Sequence, residues 1–168
     1  MGSPIALTSL ASSLRAFVKS DHAWTESLEE APQLHLAVLV QPYLDYILQG
    51  KKTVESRFGL TRGLPFGRVH SGDVIVLKLS SGPVVGMARA SGSESMSLSA
   101  QSWPRLHSLE DKICADEAFW EERRGKRYAT IVFLDKVRRV PDLDVEKTDR
   151  RGWVLLRSNE QTTHSWNS

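Results

Sequence analysis

Residues 36–57 read Leu36-Ala37-Val38-Leu39-Val40-Gln41-Pro42-Tyr43-Leu44-Asp45-Tyr46-Ile47-Leu48-Gln49-Gly50-Lys51-Lys52-Thr53-Val54-Glu55-Ser56-Arg57. Leu36 to Val40 is an unbroken apolar run of strand length, the pattern of a strand buried on both faces. Pro42 suits the first turn of a helix, where a missing N–H costs nothing, and Tyr43, Leu44, Ile47 and Leu48 give that helix an apolar stripe. Gly50 stands where a left-handed C-cap would end it. From Thr53 to Phe58 the residues alternate as in a strand, with Thr53, Glu55 and Arg57 on one side and Val54, Ser56 and Phe58 on the other.

The charges in this stretch define a candidate site. Lys52, Glu55 and Arg57 follow a helix-to-strand turn that would bring their ends together. A carboxylate flanked by two cations stays ionised and accepts protons or the amino groups of a base, while Arg57 offers a planar fork matched to phosphate. Lys52 supplies a point charge, and desolvation beside Arg57 would move its pKa toward that of a general base. The competing reading is that Glu55 and Arg57, on one strand face, simply form a salt bridge. Gln41 and Tyr43, at the start of the preceding helix, would hold a base by hydrogen bonding and stacking. Tyr43 reads equally well as a core aromatic. Ser80, after the strand ending at Leu79, either lines the same cleft or belongs to a Ser-Gly-Pro turn.

Toward the N-terminus, Leu7, Leu10, Leu14, Phe17 and Val18 fall at helical spacing, and a second helix is expected around Trp24 to Ala31, before Pro32. Residues 1–33 therefore read as an N-terminal helical extension, 34–158 as the domain proper, and 159–168 as a flexible tail. Downstream, Ser71-Gly72-Asp73 turns into a strand over Val74 to Leu79, and a further strand spans Val84 to Ala90 before a Ser/Gly-rich loop. Helix is expected between Ala100 and Arg124, interrupted near Trp103-Pro104, followed by strands over Tyr128 to Leu134 and Trp153 to Leu156. The strands suggest a meander.

The 168 residues carry a formal charge of +2, too small for a broad phosphate-binding surface, so a nucleic-acid site must be local. Basic groups at Arg123-Arg124-Gly125-Lys126-Arg127 interleave with Trp120 and Tyr128 and would form a path for a strand beside the cleft, or merely cap a helix and solubilise a turn. The single cysteine, Cys114, excludes an internal disulfide and reads as a core thiol in a cytoplasmic protein. The five histidines, at 22, 35, 70, 107 and 164, show no short ligand spacing, so no metal site is expected. No cofactor and no membrane span are expected either.

Gln41-Pro42-Tyr43 followed by Gly50, Lys52, Glu55 and Arg57 resembles the signature of ASCH domains, written GxKxxExR, and Ser71-Gly72-Asp73 is similar to that family's Gly-Asp turn before a barrel strand. The resemblance covers about residues 36–140. It implies an α+β fold: a small mixed PUA-like β-barrel of five or six strands with flanking helices and a cleft between them, known from RNA-binding modules and RNA-modifying enzymes. It implies binding of RNA, single-stranded nucleic acid or a modified nucleotide in RNA processing, with Lys52, Arg57, Gln41, Tyr43, Thr53, Ser80 and Tyr128 as binding residues. Some ASCH-like proteins hydrolyse N4-acetylcytidine with a lysine, a threonine and a glutamate. Lys52 matches the lysine, Glu55 stands where those enzymes carry threonine, and Glu117 is the candidate for the remaining acid. Amidohydrolase or ribonuclease activity, with Lys52, Glu55 and Glu117 catalytic, is thus the second expectation, and a protein-interaction module the third.

Overall fold

A computed structural model describes residues 2–158; the expected tail at 159–168 lies outside the described residues. Strand β1 (Ile5–Ala6) leads through a 3-10 turn into helices α1 (Leu10–Phe17) and α2 (His22–Glu30). Asp21 caps α2 by accepting from the Trp24 amide at 3.2 Å. The chain then runs through β2 (Gln33–Leu39), α3 (Tyr43–Leu48), β3 (Val54–Gly59), β4 (Val74–Leu79) and β5 (Val84–Ser97). Three short helices follow, α4 (Ser102–His107), α5 (Glu110–Ile113) and α6 (Glu117–Arg123), and then β6 (Tyr128–Leu143), β7 (Val145–Glu146) and β8 (Trp153–Ser158).

The apolar runs are explained by a sheet covered on both faces. Along β4, Val74 and Val76 point into a core shared with Leu10, Leu14 and Leu28 of the N-terminal helices, while Ile75 and Leu77 point into a second core with Leu44 and Ile47 of α3. β2 divides the same way, Leu34 and Leu36 on one side and Ala37 and Leu39 on the other. A third core under α4 to α6 holds Leu106, Ile113 and Phe119 against Val54, Ala129 and Ile131.

The strand order is β3-β6-β5-β4-β2-β8, with β2 parallel to β4 and every other pairing in this sheet antiparallel. Only β4-β5-β6 is the expected meander. The expected barrel is not closed: β2 gives one edge to β4 and the other to β8, leaving the outer edge of β3 unpaired. The sheet nonetheless curls, because β5 and β6 pair over most of their length through register shifts near Gly86, Arg89 and Ala90 that bend the ribbon. Curling brings β3 back toward β2 and the start of β8, and the remaining gap is an open seam.

Other differences have local causes. The Ser/Gly-rich segment after Ala90 continues β5 to Ser97, with Ser95 Oγ 3.1 Å from Thr130 Oγ1 across the ladder. Pro104 does not break the helical region, since it lies in the first turn of α4, where proline is tolerated. The interruptions come at Leu109 and at Cys114 to Asp116. Cys114 adopts φ 62° at the end of α5 and is half-buried rather than a core thiol.

Candidate functional site

Arg57 spans the open seam. From β3 its guanidinium donates to the Val38 carbonyl of β2 at 2.9 Å and to the Gly152 carbonyl, just before β8, at 3.1 Å. A side chain thus takes the place of the missing ladder between sheet edges. A Cβ on Gly152 would stand 3.2 Å from Arg57 Nη1, so this glycine leaves room for the close approach. Glu55 lies on the same strand face, its Oε2 3.5 Å from Arg57 Nη2 and its Oε1 accepting from the Ser56 amide at 2.7 Å.

Lys52 is brought here by the helix-ending turn at Gly50, whose φ of 78° is in the left-handed region as the C-cap pattern predicts. The residue is 2% exposed. Nζ donates to the Val54 carbonyl at 2.8 Å and to the Ile113 carbonyl at the end of α5 at 2.7 Å, and lies 3.8 Å from Glu55 Oε1. Burial pushes its pKa down, with the Glu55 carboxylate opposing the shift. The direction suits a base, but the hydrogen bonds make the ammonium a strut between β3 and α5.

These three groups form the floor of a cavity of about 370 Å³ in the seam, within the range of small-molecule sites. Tyr43, Phe58 and Phe119 contribute aromatic walls, the end of β2 contributes Val38 to Val40, and Glu122, Arg123 and Lys126 stand at the α6 side. Tyr43 and Phe119 meet edge to face at 5.9 Å, and the phenol pKa of Tyr43 is raised by burial and then by Asp116. The Arg123 guanidinium lies 3.5 Å from the Phe119 ring centre, donates to the Phe119 carbonyl at 2.9 Å and has its pKa lowered by burial. Four cations face two carboxylates around the cavity, so its field favours an anion.

Ser56 also lines the cavity. It is 8% exposed, and its Oγ is buried without a hydrogen-bond partner, an arrangement that costs stability unless something supplies one. Val40 at the rim is 56% exposed, an uncovered apolar side chain beside polar ones.

The other residues expected at the site are placed apart from this cavity. Gln41 is exposed and caps α3, exchanging hydrogen bonds with Asp45 at 3.1 Å. Thr53 is exposed, its backbone amide donating to Lys112, and Ser80 is exposed in the β4-β5 turn, its amide donating to Leu39. Glu117 is exposed at the start of α6, in a different groove with Trp103, His107 and Trp120. Tyr128 lines a smaller cavity of about 150 Å³ that shares Arg57 and Phe58 with the first. Sequence reasoning missed Ser56 and Phe58 as lining residues. Phe119 was not singled out either, whereas Arg123 and Lys126 belong to the basic run expected either to form a path beside the cleft or to cap a helix, and both line the cavity. Among the described residues no cluster of three or more His, Cys, Asp or Glu side chains could hold a metal ion, and no helix is long and apolar enough to cross a membrane.

No protein-family model matches the chain, and no curated protein sequence matches it. Solved structures do. A crystal structure of ASCH from Zymomonas mobilis is 17% identical, with a TM-score of 0.60 over 75% of this chain and 89% of that one. Two point mutants of that protein match at 16% and 18% identity, with TM-scores of 0.60 and 0.58, covering 76% of this chain and 91% and 92% of theirs. At these identities the likeness is one of fold: the chain is an α+β protein similar in fold to the ASCH protein of Zymomonas mobilis.

Proposed function

We propose that the chain binds RNA or a single nucleotide, plain or modified, with a base in the seam cavity and phosphate at its cationic rim. The observation that carries this reading is the composition of the cavity lining, in which Lys52, Arg57, Arg123 and Lys126 outnumber Glu55 and Glu122 beside the rings of Tyr43, Phe58 and Phe119. The Glu55 carboxylate on the floor presents an acceptor for the amino group of a base. Phe58, Phe119 and Tyr43 offer apolar faces, and Arg57, Arg123 and Lys126 offer charge for phosphate. ASCH domains, which the motif resembles and whose fold the chain shares, belong to a superfold with RNA-binding members, which points the same way.

Hydrolysis of an acylated nucleoside or of RNA draws less support. Lys52 donates hydrogen bonds to two carbonyls, and Thr53 and Glu117 are exposed outside the cavity. Fluorescence anisotropy with a labelled single-stranded RNA tests the binding reading. Arg123→Ala and Lys126→Ala should each weaken binding by about five- to tenfold, as expected for one lost hydrogen bond to a charged partner, and affinity should fall with added salt. Absence of binding, or affinities unchanged in both variants, overturns the reading.

A further inference from the structure

The second, smaller cavity adjoins the first and has no part in the single-nucleotide reading. It lies between the end of β3, the loop that follows and the start of β6, and its walls include Phe66, Tyr128, Thr61 and Thr130. Phe66 and Tyr128 meet edge to face with centres 5.6 Å apart. The Arg62 guanidinium lies 5.1 Å from the Tyr128 ring centre and 5.6 Å from that of Phe66, so an exposed cation rests on the aromatic pair that lines the cavity. An aromatic ring paired with a mobile-ended cation is the combination on which single-stranded nucleic acids stack, because every base has a π-face and every link carries a phosphate.

The two cavities are joined by Arg57 and Phe58, which line both. On β3 the first uses residues 55–58 and the second 57–59, an offset of one to two residues, or roughly 3–7 Å at strand rise. That is within the reach of one sugar-phosphate unit. The segment linking α6 to β6 runs the same way, with Lys126 on the first cavity and Tyr128 on the second. Arg57, which lines both, puts its positive charge where the two meet while its Nη groups hold the Val38 and Gly152 carbonyls.

We propose that the two cavities form one channel for two consecutive nucleotides of a single strand, the smaller one stacking the second base on Tyr128 under Arg62 and Arg57 holding the phosphate between them. This rests on the nucleotide reading of the larger cavity. The ligand class it names is a single-stranded oligonucleotide rather than a free nucleotide. Duplexes are excluded, because both bases must leave their stack to enter.

Isothermal titration calorimetry of the whole chain, with the four nucleoside 5′-monophosphates and with a mixed-sequence single-stranded RNA octamer as probes, tests this. The octamer should bind at least tenfold more tightly than any mononucleotide. Tyr128→Ala should remove about tenfold of octamer affinity, the order expected for one lost stacking partner. Arg62→Ala should remove a smaller part, and Tyr128→Phe should restore wild-type binding. Mononucleotide affinity should be the same in all of these variants. An octamer no tighter than a mononucleotide, or Tyr128→Ala and Arg62→Ala variants that keep the full octamer advantage, overturns the channel and leaves the single-nucleotide reading standing. Failure of the wild-type chain to bind either probe overturns both.

Discussion

The guanidinium of Arg57 lies over the indole of Trp153, its Cζ 5.2 Å from the ring centre. The indole is fixed from the other side, since its Nε1 donates to Nδ1 of the fully buried His35 at 3.0 Å. His35 Nε2 in turn meets Asp73 Oδ2 at 2.8 Å, and Asp73 also accepts from the backbone and side chain of Gln33. A proton on His35 Nε2 and a lone pair on Nδ1 satisfy both partners, so the ring is held as one neutral tautomer. A buried polar chain from Asp73 to Trp153 therefore supports the residue that bridges the seam.

Replacing Trp153 by Phe keeps a ring beneath Arg57 but leaves His35 Nδ1 without its donor. Urea unfolding should show a loss of about 1–3 kcal/mol, the cost of an unsatisfied buried acceptor, with RNA affinity little changed. Trp153→Leu should lose both stability and affinity. Equal stability of Trp153→Phe and wild type would remove His35 from this account.

Lys52→Ala should destabilise by about 3 kcal/mol or more, because the Val54 and Ile113 carbonyls lose their donor and a cavity is left. Lys52 therefore holds up the fold as well as the cavity floor. Thermal unfolding of Lys52→Ala and Lys52→Met decides the point, and a wild-type melting temperature in Lys52→Ala would show that the strut carries no weight.

Lys52 also gives the alkaline limb a sign. Between its lowered native pKa and the ordinary value of 10.5, the unfolded chain holds a proton that the native state has released. Stability from this group therefore rises with pH in that window. Tyr43 acts oppositely: its pKa is raised above 10.0, so the native state keeps a proton that the unfolded chain loses, and stability falls as pH climbs past that value. Chemical denaturation across the alkaline range should show the rising arm in wild type and a shallower one in Lys52→Met, where Lys78, its pKa also lowered by burial, remains.

On the acid side, Asp135 and Glu94 have pKa values held down by hydrogen bonds from Arg89 and Arg105. Their contribution is present above the ordinary values of 3.8 and 4.5 and is lost as pH falls through the native ones. Both pairs are partly solvated, so each is worth about 0–1 kcal/mol. The double variant Asp135→Asn, Glu94→Gln should flatten the acid limb slightly in urea titrations; a steeper acid limb would contradict the assignment.

The local order of residues 36–57 was legible because it rests on short-range signals: an apolar run, a proline at a helix start, a glycine at its end and two-residue alternation. Lys52, Glu55 and Arg57 converge for that reason. The seam was not legible, since it depends on which distant strands take up the edges of β2. β5 was read too short because Ser91 to Ser97 looks like a loop until β6 lies alongside it. Glu117 was one acid among several on short helices whose phase the sequence did not settle. Phe119 escaped notice as a site residue because a helix aromatic has a sufficient ordinary explanation as core, and only the turn of α6 stacks the Arg123 guanidinium, expected beside the cleft, on its ring.

The most direct test is a two-dimensional amide NMR titration of the full chain with nucleoside monophosphates and then the RNA octamer. The account predicts shifts at Ser56, Arg57, Phe58, Arg123 and Lys126 with either ligand, extending to Arg62 and Tyr128 only with the octamer. An unperturbed seam at millimolar ligand, or shifts confined to the Trp103 and Trp120 groove, would contradict it.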